Sequence, residues 1–111
     1  MAQAVFVHDG CSIDYTPAAD VAAGDVVVQG DLVGVAKLDI QANKLGALAV
    51  EGVFDFAKAT GVGTAIAVGA VVYWNDAANQ ATTVAAGNKQ IGKCVRAAGD
   101  NDATVRVKLS Q

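Results

Sequence analysis

Aromatic residues, histidine, proline and charge are all scarce in this sequence. Aromatic residues make up 5% of the 111 positions, charged residues make up 17%, and there is one histidine and one proline. A catalytic triad would have to use that histidine, His8, and a metal site with two histidine ligands is excluded. The two cysteines, Cys11 and Cys94, belong to no Cys-x-x-Cys motif. We therefore expect both to be buried free thiols.

Long apolar runs and basic clusters are also missing. No apolar stretch reaches the roughly 18 residues that a membrane-spanning helix needs, and residues 1–6 lack the basic region of a secretory signal. We therefore expect a soluble protein made in a cytoplasm. The net charge of −3 and the scattered Lys and Arg residues disfavour binding to a nucleic-acid backbone. The low charged fraction indicates instead that part of the surface contacts another protein.

Small apolar residues and glycine dominate the composition. Hydrophobic residues, mostly Ala and Val, make up 53% of the chain, and there are 12 glycines. Valine favours strands and glycine favours turns. The length fits one domain, so we expect a single β domain over residues 1–111. Its small side chains bury little area per residue, which favours stabilisation by oligomerisation.

The middle of the chain, residues 46–58, has the pattern of a long bent strand. Leu48 and Val50 alternate with smaller or polar residues, and Phe54 and Phe56 share one face beyond Gly52. A glycine that interrupts such an alternation is typical of a bulge or a sharp bend. We expect the rest of the domain to pack around this strand.

Short strand patterns separated by turn signals fill the remaining chain. Residues 3–8 and 11–15 predict a hairpin with an Asp9-Gly10 turn, and residues 18–23 have the pattern of a short helical turn. The clearest strand is 104–109, with alternating apolar and basic residues. Residues 66–73 and 91–95 echo 21–28 and 33–37, which indicates two similar turn-plus-strand units. About ten strands are expected in an all-β barrel or sandwich. Three further strands are predicted. One follows the Gly24-Asp25 turn, one covers 32–38, and one ends at Tyr73.

The candidate chemical sites all have a structural interpretation that we prefer. His8 would flank a turn, and the carboxylates of Asp25, Asp31 and Asp39 would bond their own turns. The loop 61–64 resembles a phosphate loop, but the lysine of Gly-x-x-x-x-Gly-Lys-Ser/Thr is missing. The Tyr73-Trp74 pair could stack on bases, yet without a basic groove we expect it in the core or at a subunit contact. No catalytic, cofactor-binding or metal-binding residue is predicted.

Three groups of segments combine turn glycines with strand hydrophobic residues. They are Ala-Gly-Asp-Val-Val-Val (23–28) with Leu-Val-Gly-Val-Ala (32–36), Gly-Ala-Leu-Ala-Val-Glu-Gly-Val-Phe-Asp-Phe (46–56), and Gly-Ala-Val-Val-Tyr-Trp (69–74) with Ile-Gly (91–92). Together they resemble the small capsid decoration, or cement, proteins of tailed bacteriophages and prophages, and the resemblance extends over about residues 13–109. Some proteins of that family carry the label of RecA/RadA-like recombinases, a label that the missing Walker lysine disfavours here.

The resemblance implies a structural virion protein and no enzyme. Its expected fold is an all-β domain of the β-clip kind, and its expected partner is the major capsid protein on the outside of a mature head. It also implies a homotrimer, formed in solution or only on the shell, with residues 1–6 as a flexible N-terminal arm. No cofactor, nucleic acid or membrane is expected. Two alternatives remain open: a recombinase-like nucleotide- or DNA-handling protein, and another virion or tail component.

Overall fold

The structure, a computed structural model, describes residues 3–111. Nine β-strands and no helix form this part of the chain, which confirms the all-β prediction. The strands are β1 (Ser12–Tyr15), β2 (Val26–Gln29), β3 (Leu32–Ala36), β4 (Gly46–Ala49), β5 (Gly52–Ala57), β6 (Val71–Asn75), β7 (Gln80–Thr82), β8 (Lys89–Arg96) and β9 (Thr104–Leu109).

The strands form two antiparallel sheets that share one core. The four-stranded sheet has the order β1-β4-β3-β2, and the five-stranded sheet has the order β5-β9-β8-β6-β7. Val33 and Val35 of the first sheet belong to the same buried cluster as Phe56, Trp74 and Val107 of the second. The rings of Phe56 and Trp74 have centroids 5.8 Å apart. The arrangement is therefore the two-layer form of the predicted fold, while the β-clip assignment stays a prediction.

The central stretch is not one strand. It divides into β4, which lies in the four-stranded sheet, and β5, which lies in the five-stranded sheet. Gly52 adopts a φ of +122°, which side-chain-bearing residues rarely adopt, so the chain can leave one sheet and enter the other there. The bend at Gly52 is confirmed, and Phe56 is buried with Phe54 packed beside it. The prediction of a continuous strand is wrong because the bend also changes the sheet.

The predicted first hairpin is absent from the described chain. Residues 3–8 form no strand, and β1 pairs with β4 instead of with an earlier segment. The alternating pattern specifies an extended backbone, but a strand also needs a neighbour to hydrogen-bond. The short helical turn predicted at 18–23 is also wrong. Val21 instead exchanges two backbone hydrogen bonds of 2.8 Å with Ile40.

A second, smaller core covers the far side of the four-stranded sheet. Ala36, Ile40 and Leu48 are its buried members, and Ile13 and Val27 pack against them. The strand predicted over 32–38 ends at Ala36, after which the chain turns to bring Ile40 over the sheet. Both faces of this sheet are thus partly covered with apolar side chains.

The two halves of the chain repeat one topology. The order β1-β4-β3-β2 matches β5-β9-β8-β6, with β7 added at the edge of the second sheet. The amide of Gly24 donates to the Ala36 carbonyl (2.6 Å), as the amide of Gly69 donates to that of Cys94 (2.8 Å). The echo predicted from the sequence is therefore a shared turn-plus-strand geometry.

The last strand follows its prediction most closely. Val105, Val107 and Leu109 are buried, and Arg106 and Lys108 are exposed. Neighbouring β8 approaches it closely at Gly92, where an added Cβ would lie 1.9 Å from the Lys108 carbonyl oxygen. Glycine is therefore required at that position for β8 and β9 to pair. The hairpin loop before β7 and the turn at 85–88 also lie where they are predicted.

Candidate functional site

A buried lysine ties together the loops at one end of the five-stranded sheet. Lys58 is 5% exposed. Its Nζ donates to the carbonyl oxygens of Ala59 (2.7 Å) and Asp102 (3.2 Å) and to Oγ1 of Thr64 (3.2 Å). These three bonds use all three ammonium hydrogens. The side chain therefore cross-links two loops and has no hydrogen left for a ligand.

The same lysine is bonded to the loop 61–64, which resembles a phosphate loop in sequence. Thr64, the hydroxyl residue of that loop, accepts the Lys58 bond, and its hydroxyl lies 2.6 Å from the Gly61 carbonyl oxygen and 2.9 Å from that of Asp100. A phosphate-binding lysine must keep its ammonium free for the ligand. Here the lysine comes before the loop and is bonded to protein oxygens, so the arrangement is structural.

The candidate carboxylates do not form one site. Asp25 accepts from the amide of Ala22 (3.0 Å), and Asp39 accepts from the amide of Ala23 (2.8 Å). These two side chains therefore fix the turn before β2. Asp25 bonds its own turn, as predicted, whereas Asp39 bonds a turn 16 positions earlier in the chain. Asp31 lies elsewhere and accepts from Nζ of a lysine on β8 at 2.6 Å. The prediction that each carboxylate bonds its own turn is therefore wrong for Asp39 and Asp31, because distant segments bring donors to them. That hydrogen bond and the positive charge lower the pKa of the Asp31 carboxyl.

In the acidic cleft beside the turn, each of the three carboxylates accepts a backbone hydrogen bond on one oxygen. The cleft has a volume of about 430 Å³ and is lined by Asp20 together with Asp25 and Asp39. Asp20 accepts from the amide of Ala42 at 2.8 Å. Over residues 3–111, no three His, Cys, Asp or Glu side chains converge in a way that could hold a metal ion.

His8 and the cysteines take three different environments. His8 is exposed, and its Nδ1 lies 2.5 Å from the Asp9 carbonyl oxygen, outside any hairpin. Cys94 is a buried free thiol, as predicted, but Cys11 is exposed, so the prediction of burial is wrong there. Cys11 lies in the turn before β1, where its backbone carbonyl accepts from the amide of Val50 (3.0 Å) while its side chain is exposed. A hydrogen bond with Glu51 and the charge of that carboxylate raise the pKa of the Cys11 thiol.

The aromatic pair divides between the core and the surface of the sheet. Trp74 is buried, and its Nε1 donates to Asp76 at 3.2 Å. Tyr73 is half-buried on the opposite face of β6. The expected core position is confirmed for Trp74, and the indole of Trp74 is not exposed to stack on a base.

The outer face of the five-stranded sheet collects positive charge. Lys93 and Arg96 of β8 and Arg106 and Lys108 of β9 are all exposed there, and they are half of the eight Lys and Arg residues in the chain. We call these four residues the basic sheet face. Asp55 of β5 lies beside them and accepts two hydrogen bonds from the Arg106 guanidinium, at 2.9 and 3.2 Å.

The ion pair between Asp55 and Arg106 shifts the pKa of both side chains. Hydrogen bonding from the Arg106 guanidinium lowers the pKa of the Asp55 carboxyl, and the carboxylate in turn raises the pKa of Arg106. Both side chains are nearly half exposed, so the pair is a surface contact that contributes little to stability.

An exposed apolar segment precedes β1. Val5, Phe6 and Val7 are 78%, 81% and 82% exposed, in a stretch that pairs with no strand of the described chain. Three consecutive exposed apolar residues are unusual on a protein surface and are typical of a contact with a partner. No helix in residues 3–111 is long and apolar enough to cross a membrane.

Comparison with known protein families decides the class of this protein. A family model described as phage cement protein matches residues 7–109. The chain belongs to the phage cement protein family. No curated protein and no solved structure matches it. The family confirms the capsid decoration resemblance and indicates a structural protein of the virion.

Two of the candidate residues of this cement protein bond nearby backbone groups. His8 lies against the Asp9 carbonyl oxygen, and Asp25 accepts from the amide of Ala22. Sequence reasoning missed two features of this cement protein: the burial of Lys58 and the basic sheet face. The alternation in β9 places Arg106 and Lys108 outward, but only strand pairing brings the basic residues of β8 beside them.

Proposed function

We propose that this cement protein binds the outside of a phage or prophage head and stabilises the mature shell. The family match over residues 7–109 carries the proposal. A shell filled with DNA is under outward strain, and a protein that binds only the assembled form shifts the equilibrium towards it. This role requires a stable body with contact surfaces and requires no catalytic residue.

The binding partner in this proposal is the major capsid protein of the head. The chain would be made in the host cytoplasm and would then attach to the capsid exterior. Attachment as a homotrimer, formed in solution or on the shell, would multiply weak contacts through effective concentration. The exposed apolar segment supports a contact role, because burial of its three side chains would remove apolar area from water.

The domain organisation in this proposal is one rigid unit with an N-terminal arm. Residues of both sheets share one core, which supports a single β domain over 1–111. The proposed arm covers 1–6. Met1 and Ala2 lie outside the described residues, and the exposed Val5 and Phe6 form the arm's apolar end. Ordering of this arm against the shell would add contact area to that of the domain.

Decoration of purified heads tests the proposal directly. Expanded heads that lack the protein, taken from the phage that encodes it, are mixed with the purified chain and imaged by electron cryomicroscopy. We expect added density at regular lattice positions on the outer surface and greater resistance of the shell to heating. Heads in buffer alone are the control. Unchanged heads at saturating protein would refute the proposal, whereas density on tails alone would identify another virion component.

A further inference from the structure

Two pairs of like charges lie next to each other on the basic sheet face. In the register of β8 and β9, Lys93 is directly opposite Lys108, and Arg96 is directly opposite Arg106. Side chains directly opposite each other in an antiparallel pair have Cβ atoms about 4.5–5.5 Å apart. Both pairs therefore place positive charges side by side.

A β-bulge creates the second of these pairs. The register shifts between Cys94 and Arg96, so that Val95 is the extra residue of the bulge. Without the shift, Lys93 and Arg96 would point to opposite faces, because they are three positions apart. Because of the register shift, Arg96 is exposed on the same face and lines the same surface cleft as Asp55 and Arg106. Bulges commonly re-aim a side chain in this way.

This arrangement lowers the stability of the free protein. Like charges that face each other across strands are destabilising. The four strands β5, β6, β8 and β9 contain one carboxylate, Asp55, which is already paired with Arg106. A second carboxylate, Asp102, lines the cleft at the arginine end of the face and accepts from a backbone amide of its own loop. Lys93 and Lys108 take part in no ion pair within the described chain. A partner that brings carboxylates to this face would relieve the repulsion.

The same face offers apolar contacts at its margins. Val53 lies in one row with Lys108 and Lys93, and Val95 protrudes at the bulge. These valines are 56% and 43% exposed. Partly exposed apolar side chains beside charged ones suit a protein–protein contact, in which charged groups lie at the rim.

We infer that the basic sheet face is the surface that docks on the shell, against a carboxylate-bearing patch of the shell subunit. The inference rests on the proposed function and adds which face is bound and what chemistry recognises it. A shell protein is favoured over nucleic acid because the chain has a net charge of −3. The long-range field of such a protein repels a polyanion, whereas a local acidic patch on a protein can match four cations.

The test compares two double charge reversals that change the net charge equally. One is Lys93→Glu with Lys108→Glu on the basic sheet face. The other is Lys37→Glu with Lys44→Glu, two exposed lysines of the first half of the chain. Binding of each purified protein to DNA-free expanded heads is measured by co-sedimentation between 50 and about 300 mM NaCl, a range that changes the screening of surface charges.

We expect wild-type binding to weaken as salt rises. The reversal on the basic sheet face should weaken it by roughly tenfold or more, since it places like charges against each other in the complex. The Lys37/Lys44 reversal should change it by less than about twofold. Thermal unfolding confirms that each variant is folded, and Lys93→Gln with Lys108→Gln is a milder second variant that should give an intermediate loss.

The contrary outcomes are distinct. Equal weakening by both reversals would attribute the effect to net charge, and the inference would be wrong. Unchanged binding of the variant on the basic sheet face would also overturn the inference. Tight binding of wild-type protein to duplex DNA that the same reversal abolishes would assign the face to nucleic acid instead. Failure of the wild-type protein to bind heads would refute the proposed function itself, which is a different result from a variant that binds normally.

Discussion

Lys93 lies directly opposite Lys108 across the pair formed by β8 and β9. Both side chains are exposed, and neither has an acidic partner within the described chain. Cross-strand neighbours contribute to sheet stability through their side chains, and opposite charges are favourable where like charges are not. The pair therefore marks a position at which the sequence gives up stability in the isolated protein.

Changing one charge of this pair should make the protein more stable. Lys93→Glu creates an opposite-charge pair with Lys108, so we expect the free energy of unfolding to rise by about 0.2–1 kcal/mol. Urea denaturation at low salt measures it, and Lys44→Glu is the matched control at an exposed loop position. An equal gain in the control would show that the effect comes from net charge.

The ion pair between Asp55 and Arg106 should be visible in the titration of the carboxyl. The hydrogen bond from Arg106 lowers the pKa of Asp55. Arg106→Gln should therefore return that pKa towards the ordinary value of about 3.9, measured by NMR. Because the folded-state pKa is depressed, the contribution of the pair is present above the unfolded value and is lost as pH falls through the folded value. An Asp55 pKa that does not change in Arg106→Gln would contradict this assignment.

Removal of the buried ammonium should loosen the loops at the end of the second sheet. Lys58→Met keeps most of the side-chain volume but leaves the carbonyl oxygens of Ala59 and Asp102 without their donor. We expect a loss of about 1–3 kcal/mol in unfolding free energy, since part-buried acceptors would lose the donor that holds the two loops together. Lys44→Met, at an exposed position, should change stability by less than about 0.5 kcal/mol. Equal stability of the two variants would show that Lys58 is not a structural cross-link.

The exposed apolar segment should contribute to binding and not to folding. Phe6→Ser with Val7→Ser should leave the unfolding free energy within about 0.5 kcal/mol of wild type, because these side chains are more than four-fifths exposed. We expect the same variant to bind heads more weakly, by sedimentation. Val62→Ser with Val68→Ser is the control at exposed loop valines. If the segment variant binds as tightly as this control, the segment is not a contact.

Elements that depend on neighbouring residues alone were predictable. The alternation of β9, the turn before β2 and the hairpin loop before β7 are confirmed, because each follows from the period of a strand or the preference of a turn residue. The similarity between the two halves was also predictable from the sequence, since matched glycines fix the same backbone geometry. The matched glycines are Gly24 in the first half and Gly69 in the second.

Elements that depend on a distant partner were not predictable. Residues 3–8 have a strand pattern but no strand beside them, and the stretch around Gly52 changes sheets where a single strand is predicted. The burial of Lys58 depends on a loop some forty positions later in the chain, whose Asp102 carbonyl accepts its bond. Gly52 signals the bend locally, but no local signal specifies the change of sheet, the strand that residues 3–8 lack or the burial of Lys58.

The sequence by itself determined an all-β chain with small apolar side chains, defined turns and no arrangement typical of catalysis. Only the tertiary structure decided which strands are neighbours, and with them the basic sheet face. The reason is that strand period and turn geometry arise from bonds within a few residues. Register and the bulge before Arg96 instead arise from hydrogen bonds between two strands, which the residue pattern of either strand alone does not specify.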